Sequence, residues 1–386
     1  MAVDGWLFAG FVLCLALLAF LHRRRLVVQR ILGPFLYIVM YRSKVGISVM
    51  KLIASRFQRP LIMLTPFIIF IGFLGMAVVS VEIVISLYYL IANPATSAGI
   101  ALVLPIKAKG ILFVPFLYWI ISIFVVVLVH EGAHGVIALA HNIRVKSSGL
   151  AALGIVLPIV PAAFVEPDEK ALQKKDSRAQ LGVFAAGPFA NIATALILLV
   201  LAVSFLSPVV SGFYEKTGVT ITKFADGDPP IKASGLPQGS LVTAIEGSTI
   251  TDVKGFSAAI KTKKPGDAIS LKTDKGTFSA TLMENKDQKG APYLGVFIEQ
   301  SQKQIVHAWW VPIMEWLNEL VFWIVAMNVG VGLFNLLPLG IVDGGRMLHV
   351  ALHRFLYEHH ANRAWVAVSG FFLIAVLGSI VISVLK

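Results

Sequence analysis

Two things are scarce in these 386 residues: charge, at 14% of the chain, and cysteine, of which there is one. A soluble domain carries about 25% charged residues. A chain that is 57% hydrophobic, with a mean hydropathy of +0.81, therefore reads as a polytopic α-helical membrane protein. The lone cysteine, Cys14, falls in an apolar run, so no intramolecular disulfide can form and thiol chemistry does not shape the fold. Acids are fewer than bases, 21 against 33, giving a net charge of +12. In a soluble protein this excess would suggest nucleic acid. Here it belongs to cationic loops at the surface of a lipid bilayer, and no nucleic-acid partner is expected. A leader cleavage site is also missing. The apolar run Trp6 to Leu21 is followed, not preceded, by positive charges and shows no small-residue cut site, so it reads as an uncleaved anchor with its N-terminus outside.

What is present in quantity is long apolar sequence. Six stretches are long enough to span a bilayer: roughly 5–21, 61–91, 112–141, 181–208, 308–336 and 364–385. The second and third are long, with bends expected near Gly72, Gly75 and Pro115. Lys and Arg cluster in loop 22–60 (Arg23, Arg24, Arg25 and Arg30 among them), in loop 142–180, and after Asp343 (Arg346, Arg354, Arg363). All three places fall on one side of a six-span chain, which makes that side cytoplasmic in a cell membrane. Within loop 22–60 the apolar stretch Ile31 to Met40 is expected to lie in the interface.

Residues 212–302 change character. Short alternating runs at Val219–Thr222, Leu241–Ile245, Ala268–Lys272, Thr277–Met283 and Leu294–Ile298, with one short helix at Phe256–Lys261, predict a soluble β-rich domain inserted on the outer face. The chain then divides into 1–60, an anchor and basic loop; 61–211, the first part of a membrane core; 212–302, the insert; and 303–386, the rest of the core. Segment 150–165 is apolar but broken by Gly154, Pro158 and Pro161, which argues for a re-entrant or strand-like element packed on protein.

Against this background His130-Glu131-Gly132-Ala133-His134 stands out, because it puts three ionisable groups inside an apolar span. On a helix, positions i and i+4 are about 40° apart, so both imidazoles reach one ion while Glu131 sits beside it, free to hold a water. Two ligands and a general base are the parts of a zinc hydrolase. The competing reading is a buried histidine pair held neutral by backbone contacts. A catalytic zinc takes a third protein ligand. Position 140 is Ala and position 137 is Ile, which excludes the metzincin arrangement. His141 opens the basic loop and reads as an interfacial histidine. Asp343, in the Pro/Gly-rich segment Asn335 to Arg346, is the better candidate: a carboxylate on broken backbone also balances part of the metal charge. An Asp-Gly turn ending a span is its competing reading. His349 and His353 share the i, i+4 spacing but lack an adjacent Glu, and read as a solvated helix face.

These residues together resemble the site-2-protease family of intramembrane zinc metalloproteases. The resemblance covers the His130–His134 span, the Asp343-Gly344 motif and, between them, a PDZ-like domain carried by Ala233 to Gly247, where Ser240 stands in place of the family's usual Asp. Tyr293-Leu294-Gly295-Val296 is similar to the carboxylate-binding loop of PDZ domains, which implies a possible peptide ligand. Gly187-Pro188-Phe189-Ala190-Asn191 matches the family's G-x-x-x-N pattern, which implies that Asn191 hydrogen-bonds near the zinc or the scissile backbone. Gly187, Asn191 and Asn335 are accordingly expected to support substrate or transition state, with small-residue helix packing as the other reading of the first two. The acids of Phe164 to Glu169 are expected to be structural or substrate-guiding.

The resulting expectation is a zinc endopeptidase. His130, His134 and Asp343 hold Zn²⁺, Glu131 moves protons, and single-span membrane proteins are the substrates. The broken segment 150–165 would pair with an unwound substrate strand. Two rivals are a transporter or metal permease, and an inactive relative that only binds membrane peptides. The first needs acids lined up through the spans, but Glu82, Glu315 and Glu319 all lie toward the outer ends. The second is opposed by the intact His130, Glu131, His134 and Asp343.

Overall fold

A computed structural model describes residues 2–21, 26–32, 36–92, 102–155, 157–225, 227, 229–285 and 288–385. Arg23, Arg24 and Arg25 lie outside them. The chain forms two compact units, Met1–Ala202 with Glu319–Lys386, and Val203–Asn318.

The first unit is built on long apolar helices: α1 (Ala2–Leu21), α3 (Gln58–Ala92), α4 (Phe116–Ala140), α6 (Ser177–Leu201), α9 (Val311–Asn335, from Glu319 on) and α11 (Glu358–Leu385). Among the described residues six helices are long and apolar enough to cross a membrane, the fourth running from Ser177 to Ser211 through a π-helical turn at Ala202–Leu206. The molecule is a polytopic α-helical membrane protein. Shorter helices join the spans: α2 (Ile47–Arg56), α5 (Glu169–Gln173) and α10 (Asp343–Phe355). Asp168 and Asp176 cap α5 and α6, their carboxylates accepting from the N–H groups of Ala171 and Ala179.

The span expected from residue 112 begins later. Pro115 is the N-cap of α4, and Ile111–Phe113 forms a strand, β4, parallel to β3 (Leu102–Leu104). Proline lacks the N–H and bars the residue before it from helical angles, so the helix starts at Phe116. His130 then lies about 21 Å along the helix from that start.

The described residues of the apolar stretch Ile31 to Met40 are strand. β1 (Leu26–Leu32) and β2 (Leu36–Ser43) form a hairpin, and β2 pairs with β5 (Val145–Ile155) across more than a hundred residues, from Tyr37 opposite Gly154 to Ser43 opposite Ser148. β5 pairs in turn with β6 (Leu157–Pro167), so segment 150–165 is two strands of a four-stranded antiparallel sheet with the order β1-β2-β5-β6. Among the described residues β6 has β5 as its only strand partner.

One core of this unit lies among α3, α4, α6 and α10, where Ile68, Ile137, Ala138, Val183, Phe184, Leu336 and Met347 are buried together. Small residues let the helices close. A Cβ on Gly182 would lie 2.4 Å from Thr65 Cγ2, and one on Gly75 2.5 Å from Leu336 Cδ1.

The second unit contains α7 (Ser207–Ser211), α8 (Val253–Lys261) and a sheet of β7 (Tyr214–Phe224), β8 (Leu241–Ile245), β9 (Ser248–Thr249), β10 (Ala268–Thr273), β11 (Gly276–Thr281) and β14 (Val296–Gln304), in the order β11-β10-β8-β7-β14 with β9 beside β8. A two-stranded ribbon of β12 (Met283–Glu284) and β13 (Pro292–Tyr293) completes it. Val219, Ile221, Ile245, Phe256, Ile269 and Leu271 form its core. Alternation places them there: β10 reads exposed, buried, intermediate, buried, exposed, buried. The turns of the Ala233–Gly247 run demand glycine, since Gly235, Gly239 and Gly247 hold φ of 73°, 75° and 79°. This is an inserted β-rich, PDZ-like domain.

Candidate metal centre

His130 and His134 are one turn apart on the face of α4 that packs against α6, and both are buried. Asp343, the first residue of α10, meets them from a point more than two hundred residues away. Its Oδ2 lies 3.1 Å from His130 Nε2 and 3.3 Å from His134 Nε2, and the two Nε2 atoms are 3.1 Å apart. Ligands held about 2.0–2.1 Å from a tetrahedral ion stand about 3.3 Å from one another. The three donor atoms therefore already mark one face of a tetrahedron, and this is the group of described residues able to hold a metal.

The surroundings fit a cation. Val183 O only accepts, so His134 Nδ1, at 2.6 Å, donates to it, and Nε2 presents a lone pair to the triangle. Asn191 is fully buried on α6, its Nδ2 3.1 Å from His130 Nδ1, while its Oδ1 has no partner. A histidine bound through Nε2 carries its proton on Nδ1 and needs an acceptor there. Turning the Asn191 amide end for end gives its oxygen that proton and removes the unpaired acceptor.

The backbone is shaped around the same point. A Cβ on Gly187 would sit 2.4 Å from His134 Nε2 and 2.7 Å from His130 Nε2. The start of α10 lies directly on the Leu336–Gly340 backbone: a Cβ on Gly344 would be 2.3 Å from Leu336 O, and one on Gly345 1.8 Å from Leu339 O. Trp365 Nε1 donates to Gly345 O at 2.8 Å and pins the turn from the α11 side. Leu336, Leu337 and Leu339 are buried, so this irregular backbone is enclosed in protein.

Glu131 reaches the sheet. Its Oε2 accepts the Val165 N–H of β6 at 2.8 Å. That contact has no sequence signature, because a backbone donor can be any residue. The same holds for Val183 O. Arg346 is a further residue the sequence does not mark: it pairs with Glu169 at 3.4 Å and its guanidinium lies 4.8 Å from the Phe184 ring, tying α10 to α5 and α6.

Other candidates are placed elsewhere. Asn335 turns its amide back on its own helix, donating to Val331 O at 3.1 Å. His141 caps α4, with Nε2 3.0 Å from Thr65 Oγ1, and burial lowers its pKa. His349 and His353 stack on α10 with ring centroids 4.1 Å apart and no third donor joins them among the described residues. The acids after Phe164 serve structure: Glu166 accepts from Ser147 and pairs with Arg42, and Asp168 pairs with Lys146. Glu319 accepts from Tyr118 and Trp323, and Glu315 from Tyr214.

Asn191 offers a direct check of this second layer. Asn191→Leu should weaken metal affinity by about 10–100-fold while leaving the melting temperature of the metal-free protein nearly unchanged. Chelator competition measures the first and calorimetry the second. Unaltered affinity would assign Asn191 to packing alone.

The profile of peptidase family M50 matches residues 118–377. An uncharacterized protein of Methanocaldococcus jannaschii is 27% identical over 244 residues, 61% of this chain and 59% of that protein, so the chain spans well under two thirds of that relative. Among solved structures, the PDZ domain of an SdrC-like protein from Listeria monocytogenes matches 21% of this chain and 87% of its own at 26% identity and a TM-score of 0.19. The PDZ domain of an SdrC-like protein from Listeria innocua matches 22% and 96% at 27% identity and a TM-score of 0.20.

Proposed function

The chain belongs to peptidase family M50, and on that premise we propose that it is a zinc endopeptidase cutting single-span membrane proteins in or near their transmembrane segments. The observation that carries this reading is the triangle of His130, His134 and Asp343, with the Glu131 carboxylate close enough to interact electrostatically with all three. Two imidazoles and a carboxylate suit zinc and leave a fourth position free. Bound there, the ion would polarise a peptide carbonyl and lower the pKa of a water toward ~7.

The protein's own groups do the rest. Glu131, oriented by the Val165 N–H, takes a proton from the attacking water and delivers it to the leaving amine. Val183 and Asn191 fix the two imidazoles. A helical substrate must unwind first, because its carbonyls are already hydrogen-bonded. β6, an edge strand that touches Glu131 through Val165, supports pairing with that unwound stretch. If a proline at Ala163, on the open side of β6, left cleavage unchanged in folded protein, strand pairing would be wrong. In the inserted domain β14 is also an edge strand, and the Tyr293–Gly295 turn opens it, which supports a peptide-end ligand there. Lys and Arg placement favours a metal centre near the cytoplasmic face and an outer location for the insert.

The test is incubation of purified protein with a single-span reporter, comparing wild type, Glu131→Gln and chelator-treated enzyme. Wild type should cleave. Loss of the general base should slow cleavage by about 10²–10⁴-fold with metal still bound. Equal cleavage by Glu131→Gln would remove the assigned mechanism.

A further inference from the structure

Helix α4 has two faces with different neighbours. His130 and His134 point to α6, while Ile120, Phe124, Leu128, Gly132 and Val136 line a cavity of about 1000 Å³. Its other walls are α2, through Val49 and Met50, and the sheet, through Pro161 to Val165. The lining is apolar except for a few hydroxyl groups and one carboxylate, that of Glu131. From Ile120 to Val136 the helix is about 24 Å long, most of the ~30 Å thickness of a bilayer's hydrocarbon core.

Gly132 is the anomaly in this wall. Glycine is the poorest helix former after proline, and a helix interior keeps it where something comes close. One turn away, Gly135 has such a reason, since its Cβ would lie 2.3 Å from Met50 Sδ. A Cβ on Gly132 would meet nothing within 4 Å among the described residues. The bare position lies next to Glu131, at the point where the apolar cavity reaches the metal centre's carboxylate.

We propose that this cavity seats the apolar segment of the substrate polypeptide, and that Gly132 is the floor that lets the substrate backbone close on Glu131. The proposal rests on the proteolytic reading given above and adds its specificity. Bulky apolar side chains next to the scissile bond are accepted. Charged ones are rejected, because apart from the hydroxyl groups and Glu131, already engaged by the Val165 N–H, the lining is apolar. An acyl chain would suit the walls, but it gives no reason for the cavity to end at a carboxylate and a residue without a side chain.

Two measurements on the full chain decide it. Gly132→Ala, Gly132→Leu and Gly132→Phe should all bind metal as wild type does. Cleavage of a single-span reporter should fall in order of side-chain size, modestly in the alanine variant and by about 100-fold or more in the larger ones. Separately, a benzophenone amino acid is placed at Phe124 or Leu128 in Glu131→Gln protein, with a control at Ile374, which is 75% exposed on α11. Reporter adducts from 124 and 128 and none from 374 are expected. Metal-loaded Gly132→Phe that cleaves at the wild-type rate would overturn the proposal, as would adducts at 124 and 128 to lipid alone. Failure of wild type to cleave, with adducts from 124 intact, would strike the proteolytic reading and leave the cavity's occupant assigned.

Discussion

His134→Ala should give a folded protein that does not retain its metal. Two of the three donor atoms would remain, and the Nε2 that lies 3.1 Å from His130 Nε2 and 3.3 Å from Asp343 Oδ2 would be gone. Loss of an outer partner costs about 10–100-fold in affinity, so loss of a direct donor should exceed that, on the order of 10³-fold or more. Metal per chain after dialysis should fall from about one to near zero by elemental analysis. The change also removes the Nδ1–H bond to Val183 O, a carbonyl that keeps its place in the α6 ladder, so the further destabilisation is about 0.5–1.5 kcal/mol. The two effects separate cleanly. Metal binding stabilises only the form that binds it, so a chelator should lower the melting temperature of wild type and leave that of His134→Ala where it was. A chelator-sensitive His134→Ala protein would show that the metal sits elsewhere.

Local spacing carries the part of this site that a sequence can display. His130 and His134 share a face because a helix repeats every 3.6 residues, and that follows from the chain alone. Asp343 was legible for another reason: an acid in Pro/Gly-rich backbone at the end of a span needs an explanation. The contacts that aim these groups were not legible. Val165 reaches Glu131 and Val183 reaches His134 through main-chain atoms, which any residue could supply. Asn191 was visible as a residue, but only burial and the 3.1 Å contact identify His130 as what it holds.

The fold divides in the same way. In the insert, period-2 alternation gave strands such as Leu241–Ile245 and Ala268–Thr273 closely. Leu36 to Met40 lacks that alternation, and although β1 is adjacent its second strand partner, β5, lies more than a hundred residues away, so no local pattern marks its place in the sheet. The start of α4 turned on one residue, Pro115, which hydropathy counts as compatible with a span while its missing N–H places it at the helix N-terminus.

Gly187→Ala tests the centre with a change that ordinarily helps a helix. In an exposed helix interior alanine is better than glycine by about 0.5–1 kcal/mol. At Gly187 the added methyl would lie 2.4 Å from His134 Nε2 and 2.7 Å from His130 Nε2, which is the space an ion between those donors must use. The rings cannot swing aside cheaply. Val183 O holds one and Asn191 the other, and Ala185, Ala186 and Pro188 around the glycine are buried, so α6 has little room to retreat. Metal affinity should therefore fall about as far as in His134→Ala, with the bond from His134 to Val183 O still in place. The metal-free melting temperature should also fall, because the methyl meets both rings whether or not an ion lies between them, and reporter cleavage should be lost. Tight packing alone predicts a lower metal-free melting temperature with metal still bound. The two readings thus part on metal affinity, which decides whether Gly187 serves the ion or only the helix contact.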